Sequence, residues 1–212
     1  MGKLKNGIFG PITGKIGPIV AIFRNNKVYV RSMPKKSLKP RTAGQIAAQE
    51  KFKLAHEVIR PLKPYIRAGF KHLASYKSEM DLAYPIIYHR AILGTYPDLD
   101  VDYSQLVVSE GRLMPLKAPV MVLAPTNILS VTWDVVWTPY SKIDDQLMLV
   151  LNCPDLGVAD GMINIVNRFQ QECKFAMPPR MIGYEVDIYV ALISKNLKHA
   201  SNSQYLGRVM PV

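Results

Sequence analysis

The sequence has few cysteines, no long apolar run and few acidic residues in its first half. Two cysteines, Cys153 and Cys173, occur in 212 residues, which is too few for a disulfide framework. The longest apolar runs, such as PIVAIF and LMLVL, fall far short of the roughly 18 residues of a spanning helix, so we expect no membrane span. Alternation in QECKFAM places Cys173 among apolar side chains, which predicts a buried, reduced thiol.

Targeting signals are also missing from the start of the sequence. Lys3 and Lys5 precede an apolar stretch, but Lys15 and several glycines and prolines interrupt it, and no small-residue cleavage site follows. Asn6 stands where a myristoylation signal needs Ser or Thr. We therefore expect an unprocessed, cytoplasmic protein.

Motifs of nucleotide and hydrolase sites are incomplete. In GPITGK, three residues separate Gly10 from Gly14 and Ile16 follows Lys15, whereas a phosphate-binding loop needs four residues and then Ser or Thr. No Gly-x-Ser-x-Gly sequence presents a serine nucleophile. The adjacent carboxylates Asp144-Asp145 fit a turn.

Metal motifs fail in the same way. Four residues after His56 the sequence has Arg60, a cation where a zinc helix needs its second ligand. DLDVDY carries alternate aspartates, but Tyr103 and Ser109 occupy the positions at which a calcium loop needs Gly and Glu. We therefore predict no enzyme, no cofactor, no catalytic residue and no metal site.

Charge and periodicity divide the chain in two. Residues 1–95 hold 18 Lys and Arg against 4 Asp and Glu, and residues 96–212 hold 9 against 12. This asymmetry predicts a basic hairpin-plus-helices region over 1–95 and a β-sandwich domain over 96–212.

The basic region is expected to contain one hairpin and three helical segments. Two β-rich runs flank Asn25-Asn26, a turn signal. A helix is predicted from about residue 42 with an apolar stripe through Phe52 and Ile59, and Pro61 and Pro64 should kink or end it. Further helices are predicted near 65–76 and over 78–94.

The second region is predicted to be all β. NILSVTWDV alternates and places Leu129, Val131 and Trp133 on one side. In GYEVDIYVALIS we expect Val186, Ile188 and other alternate residues to face inward. Strands spaced by turns over about 100 residues favour an antiparallel sandwich of immunoglobulin or fibronectin type III-like architecture. The predicted fold class is α+β.

Four segments together resemble a family of uncharacterised bacterial proteins of about this length, a domain of unknown function. They are MGKLKNGIFGPITGKIGPIV, VRSMPKKSLKPRTAGQIAAQEKF, GTYPDLDVDYSQLVVSEGRL and SNSQYLG. The resemblance implies a small helical N-terminal part before a fibronectin-like β-domain, and it carries no assigned catalytic residues.

Two functions follow from these patterns. The first is a non-catalytic interaction or assembly module that binds a protein partner or a second copy of itself. The second is a nucleic-acid-binding accessory protein that contacts phosphates. Its candidate polyanion-binding residues lie in and after the hairpin and are Arg31, Lys35, Lys36, Lys39 and Arg41.

Overall fold

The chain forms two compact units, Met1–Thr42 and Ala43–Val212. A computed structural model describes residues 3–4, 10–24, 26–35, 39–136, 138, 141–142 and 144–212. The boundary between these compact units falls after Thr42, and the domain division at residue 95 stays a prediction.

The first unit is a four-stranded antiparallel meander in which each strand pairs with the next. Its strands are β1 (Lys3–Leu4), β2 (Ile12–Ile16), β3 (Ile19–Arg24) and β4 (Lys27–Ser32). The predicted hairpin is confirmed as β3–β4, closed by the pair Arg24 and Lys27. Asn26 has a φ of 60°, as tight hairpin turns require. Asn25 lies outside the described residues.

The second unit contains two helices and nine strands within the described part of the chain. The helices are α1 (Ala43–Phe70) and α2 (Glu79–Arg90). The strands are β5 (Ile92–Thr95), β6 (Asp98–Val101), β7 (Lys117–Leu123), β8 (Ile128–Asp134), β9 (Asp145–Cys153), β10 (Val158–Met162), β11 (Glu172–Ala176), β12 (Val186–Ser194) and β13 (Gln204–Val209). They form sheets of order β10-β9-β12-β13, β11-β8-β7 and β5-β6.

Helix α1 continues through both of its prolines, so of the two outcomes predicted there, a kink or an end, the end at Pro61 or Pro64 is wrong. Each internal proline removes a backbone hydrogen bond and costs about 3 kcal/mol. The residues around them are deeply buried: Ile59, Leu62, Tyr65, Ile66 and Phe70. Packing of this apolar face holds the helix together, as it does for most helices in proteins.

Helix α2 begins as the sequence indicates. Ser78 and Asp81 form a reciprocal capping box, with the Asp81 N–H donating to Ser78 Oγ at 3.2 Å. The helix ends at Arg90 rather than at Gly94, which lies in strand β5 with a φ of 79°. The second predicted helix, near 65–76, is absent from the described residues as a separate element, because α1 continues to Phe70.

The four-stranded sheet of the second unit is covered on both faces. Along β9, Met148 and Val150 belong to a core shared with the helices, whereas Leu147, Leu149 and Leu151 belong to a second core. Strand β12 alternates in the same way and is buried along its whole length. Val131 and Trp133 of β8 lie in that second core. The helices therefore pack on one face of this sheet and the three-stranded sheet on the other.

This arrangement overturns the predicted fold class. The described chain is built mostly of four antiparallel sheets with two helices, and these helices lie at 43–90 rather than at the N-terminus. The immunoglobulin or fibronectin type III-like sandwich is not the architecture found, because α1 and α2 share a core with β9 and β12. The predicted alternation in β8 is confirmed, since Leu129, Val131 and Trp133 are buried.

Candidate functional site

The N-terminal unit has an extreme charge. Residues 1–42 contain ten Lys and Arg and no Asp or Glu, and the first acidic residue of the chain is Glu50. A uniformly cationic surface attracts acidic partners and repels other cations, and its field extends over about a Debye length of 8–10 Å in physiological salt.

The strand register sorts this charge onto one face of the sheet. Val20 pairs with Lys15 on one side and with Arg31 on the other. Further along the same two strands, Arg24 pairs with Lys27. Because side chains alternate across a sheet, residues two apart share a face. We call this the cationic face, and its described members are Lys3, Thr13, Lys15, Val20, Ile22, Arg24, Lys27, Tyr29 and Arg31.

The described members of the predicted polyanion-binding set lie partly on the sheet and partly after it. Arg31 lies on β4 and belongs to the cationic face. Lys35, Lys39 and Arg41 follow the sheet, outside any strand, and are exposed. Lys36 lies outside the described residues. The sheet instead brings Arg31 together with Lys15, Arg24 and Lys27, which the linear cluster did not include.

The opposite side of the same sheet is apolar. Gly14, Ala21 and Val30 form one row across it, and Phe23 pairs with Val28 in another. Several of these side chains are exposed, with Val30 at 59% and Val28 at 44%. A concavity of about 630 Å³ lies over them. We call this the apolar face, and its members are Ile12, Gly14, Ile16, Ile19, Ala21, Phe23, Val28, Val30 and Ser32.

The apolar face was not among the predicted sites, although a signal for it is present in the sequence. In IVAIFR and KVYVRS, positions 19, 21, 23, 28 and 30 are all apolar, and the cations Arg24, Lys27 and Arg31 belong to the other alternate set, together with Val20 and Ile22. Because residues two apart on a strand share a face, this arrangement predicts one side without charge. Only the register shows that the uncharged sets of β2, β3 and β4 lie on the same side of the sheet.

The rejected metal and nucleotide motifs have structural roles. Lys15 lies within strand β2, not in a loop before a helix. The Asp102 carboxylate accepts the Ser104 N–H at 2.9 Å and caps a short 3-10 helix, Tyr103–Gln105. Within the described part of the chain, no group of three His, Cys, Asp or Glu residues is placed to hold a metal ion.

Asp145 and Asp187 are the two buried carboxylates of the described residues, and each faces an arginine. Asp187 accepts hydrogen bonds from Arg208 Nε at 2.9 Å and Nη2 at 3.0 Å, and from the Tyr205 hydroxyl at 2.8 Å. These bonds to Asp187 raise the pKa of Arg208. Asp145 Oδ2 lies 3.6 Å from Arg168 Nη2. Both carboxylates therefore serve the fold, and nothing here points to catalysis.

Both cysteines are buried, free thiols. Cys173 is 1% exposed, which confirms its predicted burial. Burial, and then the neighbouring Glu172 carboxylate, raise the pKa of the Cys173 thiol to about 11, so it is a poor nucleophile at neutral pH.

Comparisons with known proteins support membership of a family but give no activity. Neither helix of the described residues has the length and hydropathy to cross a membrane. A search of curated proteins finds no match to this chain. A family profile described as a family of unknown function, DUF6266, matches residues 11–207. The expected membership of an uncharacterised family is thereby confirmed: the chain belongs to the DUF6266 family of unknown function.

Proposed function

We propose that the protein is a non-catalytic assembly module in which the apolar face of the N-terminal sheet packs against the apolar face of a second copy. The single observation behind the proposal is this face, which leaves Val28, Val30 and Phe23 exposed around a 630 Å³ concavity. Cytoplasmic residence stays a prediction.

The N-terminal unit is too small to bury its own apolar residues. Among its described residues, Ala21 is the one buried hydrophobic side chain. Units of fewer than about 40 to 60 residues rarely form a sufficient core, and oligomerisation is a common remedy. Burying one exposed Val or Phe side chain contributes about 1.5–3 kcal/mol, so a face with several such residues supports association.

Charge favours a second copy on this side of the sheet. The apolar face carries no charged residue among its described members, so two copies can meet there without opposing like charges. The cationic face cannot pair with itself, since like charges placed opposite each other destabilise a contact. Self-association through the apolar face leaves both cationic faces outward.

The test is the solution mass by light scattering over a dilution series, with two neighbouring variants. Val30→Glu places a carboxylate on the apolar face, and Tyr29→Glu places one on the cationic face at similar exposure, 59% against 55%. We expect a dimer for the wild type and Tyr29→Glu, and a monomer for Val30→Glu. The dimer should persist in high salt, because salt screens charges and does not weaken apolar burial.

A monomeric wild type at every concentration would refute the proposal. So would equal dissociation of both variants, because the effect would then not be specific to the apolar face. Circular dichroism of each variant checks that the domain over 43–212 remains folded.

A second candidate function, polyanion binding, is favoured by the cationic face. Lys15, Arg24, Lys27 and Arg31 lie together there, with Tyr29 beside them at 55% exposure. Each phosphate that a cation neutralises releases counterions and steepens the salt dependence of binding by about 0.9 in the logarithmic slope.

Salt-dependent binding of single-stranded and duplex DNA separates the two basic regions. One variant replaces the linear cluster Lys35, Lys36, Lys39 and Arg41 with Ala, and a second replaces Lys15, Lys27 and Arg31. Lys174→Ala, an exposed cation of β11 paired with Glu172 at 2.9 Å, is the control. We expect the second variant to flatten the slope by about 2 to 3. An unchanged slope in both variants excludes this function.

A further inference from the structure

A groove between α1 and α2 has an aromatic end. Phe52 and His56 lie one turn apart on α1, with ring centroids 4.6 Å apart. Tyr84 of α2 completes the cluster, with its ring 4.9 Å from Phe52 and 5.0 Å from His56. Positions 52, 56 and 59 share one face of a helix, which directs these side chains toward α2. The groove encloses about 390 Å³.

The aromatic cluster is fixed in place but open to solvent. The Tyr84 hydroxyl donates to the Phe52 carbonyl oxygen at 3.1 Å, which ties the two helices together. Phe52 nevertheless remains 51% exposed. Burial, and then the neighbouring Tyr88, raise the pKa of Tyr84 to about 12, so its phenol stays neutral at physiological pH. An exposed aromatic surface of this kind offers a stacking platform.

The other end of the groove is cationic. Lys63 and Arg67 lie one turn apart on α1 and are exposed. No carboxylate oxygen of the described residues lies within 4.0 Å of either cation. Asp81 also lines the groove, but its Oδ2 accepts the Ser78 N–H at 3.3 Å in the capping box. Two cations against one carboxylate leave a net positive charge.

We propose that this groove binds a small organic anion in which an aromatic ring is joined to a carboxylate or a phosphate. The ring stacks on Phe52, His56 and Tyr84, and the anionic group contacts Lys63 and Arg67. Arg67 can bind either group with two parallel hydrogen bonds, and Lys63 adds a point charge.

The dimensions favour a small ligand. A volume of 390 Å³ falls within the roughly 300–1,000 Å³ of small-molecule sites, which combine apolar walls with a few polar groups. His56 and Lys63 are seven positions apart, or about 10 Å along a helix axis. The long side chains of Lys63 and Arg67 shorten the span that the ligand must bridge.

The experiment measures binding of four probes to the full-length protein by isothermal titration calorimetry. Indole-3-acetate represents aromatic acids and adenosine 5′-monophosphate represents nucleotides. Indole-3-acetamide lacks the charge, and inorganic phosphate lacks the ring. We expect one of the two aromatic anions to bind at least tenfold more tightly than both controls, and the tighter of them identifies the source of the ligand.

Three variants locate the site. Phe52→Ala and Lys63→Gln should each weaken the better probe by fivefold or more. Lys53→Gln changes a cation of α1 that does not line the groove and lies 3.9 Å from Glu50, and it should leave binding unchanged. All three positions are exposed, and the unfolding midpoint of each variant is measured beside its affinity.

The proposal fails if neither aromatic anion binds saturably to the wild type at millimolar concentration. It also fails if the amide binds as well as indole-3-acetate and adenosine monophosphate binds no better than phosphate, or if Lys53→Gln weakens binding as much as Lys63→Gln. The comparison of the four probes uses only the wild-type protein, so it does not depend on whether a variant folds. None of these outcomes bears on dimerisation through the apolar face.

Discussion

Replacing Gly69 with Ala should destabilise the protein, although helix propensity alone predicts the opposite. Gly69 is the penultimate residue of α1 and is buried. A Cβ at this position would lie 2.4 Å from the Val108 carbonyl oxygen and 2.7 Å from Ser109 Cβ. Both contacts involve the chain that follows the helices, and Ser109 is itself held by a hydrogen bond from its hydroxyl to the Ser201 carbonyl at 2.8 Å.

Two effects of opposite sign decide how much Gly69→Ala changes the free energy of unfolding. Ala in place of Gly favours a helix by up to about 1 kcal/mol. Forcing one extra carbon into a packed site costs about 1–3 kcal/mol, and more where the neighbours are backbone atoms that cannot rotate away. The clash should therefore win by about 1–2 kcal/mol, which lowers Tm by about 2–8 °C for a domain of this size.

The assay is thermal and urea unfolding, followed by circular dichroism, with Gly44→Ala as the matched control. Gly44 belongs to the same helix, and a Cβ added to it would have no atom within 4 Å. We expect this control to be neutral or slightly stabilising. An equal or higher Tm for Gly69→Ala would show that the end of α1 does not sit against residues 108–109, and the shared core of helices and sheet would then be wrong.

Two further predictions concern buried polar groups. Asp145→Asn keeps an acceptor for the Lys142 N–H (2.8 Å) but leaves the Arg168 side chain, which is 4% exposed, without a counter-charge. The free energy of unfolding in urea should therefore fall by about 3–5 kcal/mol. A variant as stable as the wild type would show that the pair is solvated. Burial, and then His199, lower the pKa of His72, whose ring nitrogens lack partners among the described atoms. The unfolded state therefore binds the proton first, and stability should fall as pH drops below 6.5, by at most about 1.4 kcal/mol per pH unit. His72→Phe should flatten that dependence, and an unchanged slope would exclude His72 as its origin.

Local patterns in the sequence predicted several elements correctly. The β3–β4 hairpin follows from two β-rich runs around a turn signal, and the start of α2 follows from Ser78 and Asp81. The buried face of β8 follows from alternation. Each of these depends on residues close together in the sequence, where propensity and capping dominate.

The packing of the helices and of the three-stranded sheet on opposite faces of the four-stranded sheet could not be derived in the same way, because it depends on contacts between distant segments. The prolines of α1 predict a kink or an end of the helix, and burial of Leu62 and Ile66 against the sheet explains why the helix does not end there. One signal for the layers is nevertheless present in the sequence. LMLVL in β9 and VDIYVALI in β12 are almost continuously apolar, a pattern typical of strands covered on both faces.

The candidate sites depend even more on tertiary structure. The linear cluster from Arg31 to Arg41 can be read from the sequence. That Arg31 and Lys15 lie on the same face of the sheet, on either side of Val20, follows only from the register of β2, β3 and β4. The groove between α1 and α2 brings together Phe52 and Tyr84, which are 32 residues apart. No spacing rule in a single sequence predicts that contact.

The placement of β12 also constrains how the protein emerges from the ribosome. Helix α1 is complete at Phe70, yet it shares its core with Tyr189 and Ile193 near the other end of the chain. At about 5–20 residues per second, synthesis of the intervening chain takes roughly 6–24 s. During that interval the nascent helix keeps an uncovered apolar stripe, and we expect it to be a binding site for chaperones that capture exposed apolar segments until the last strands arrive.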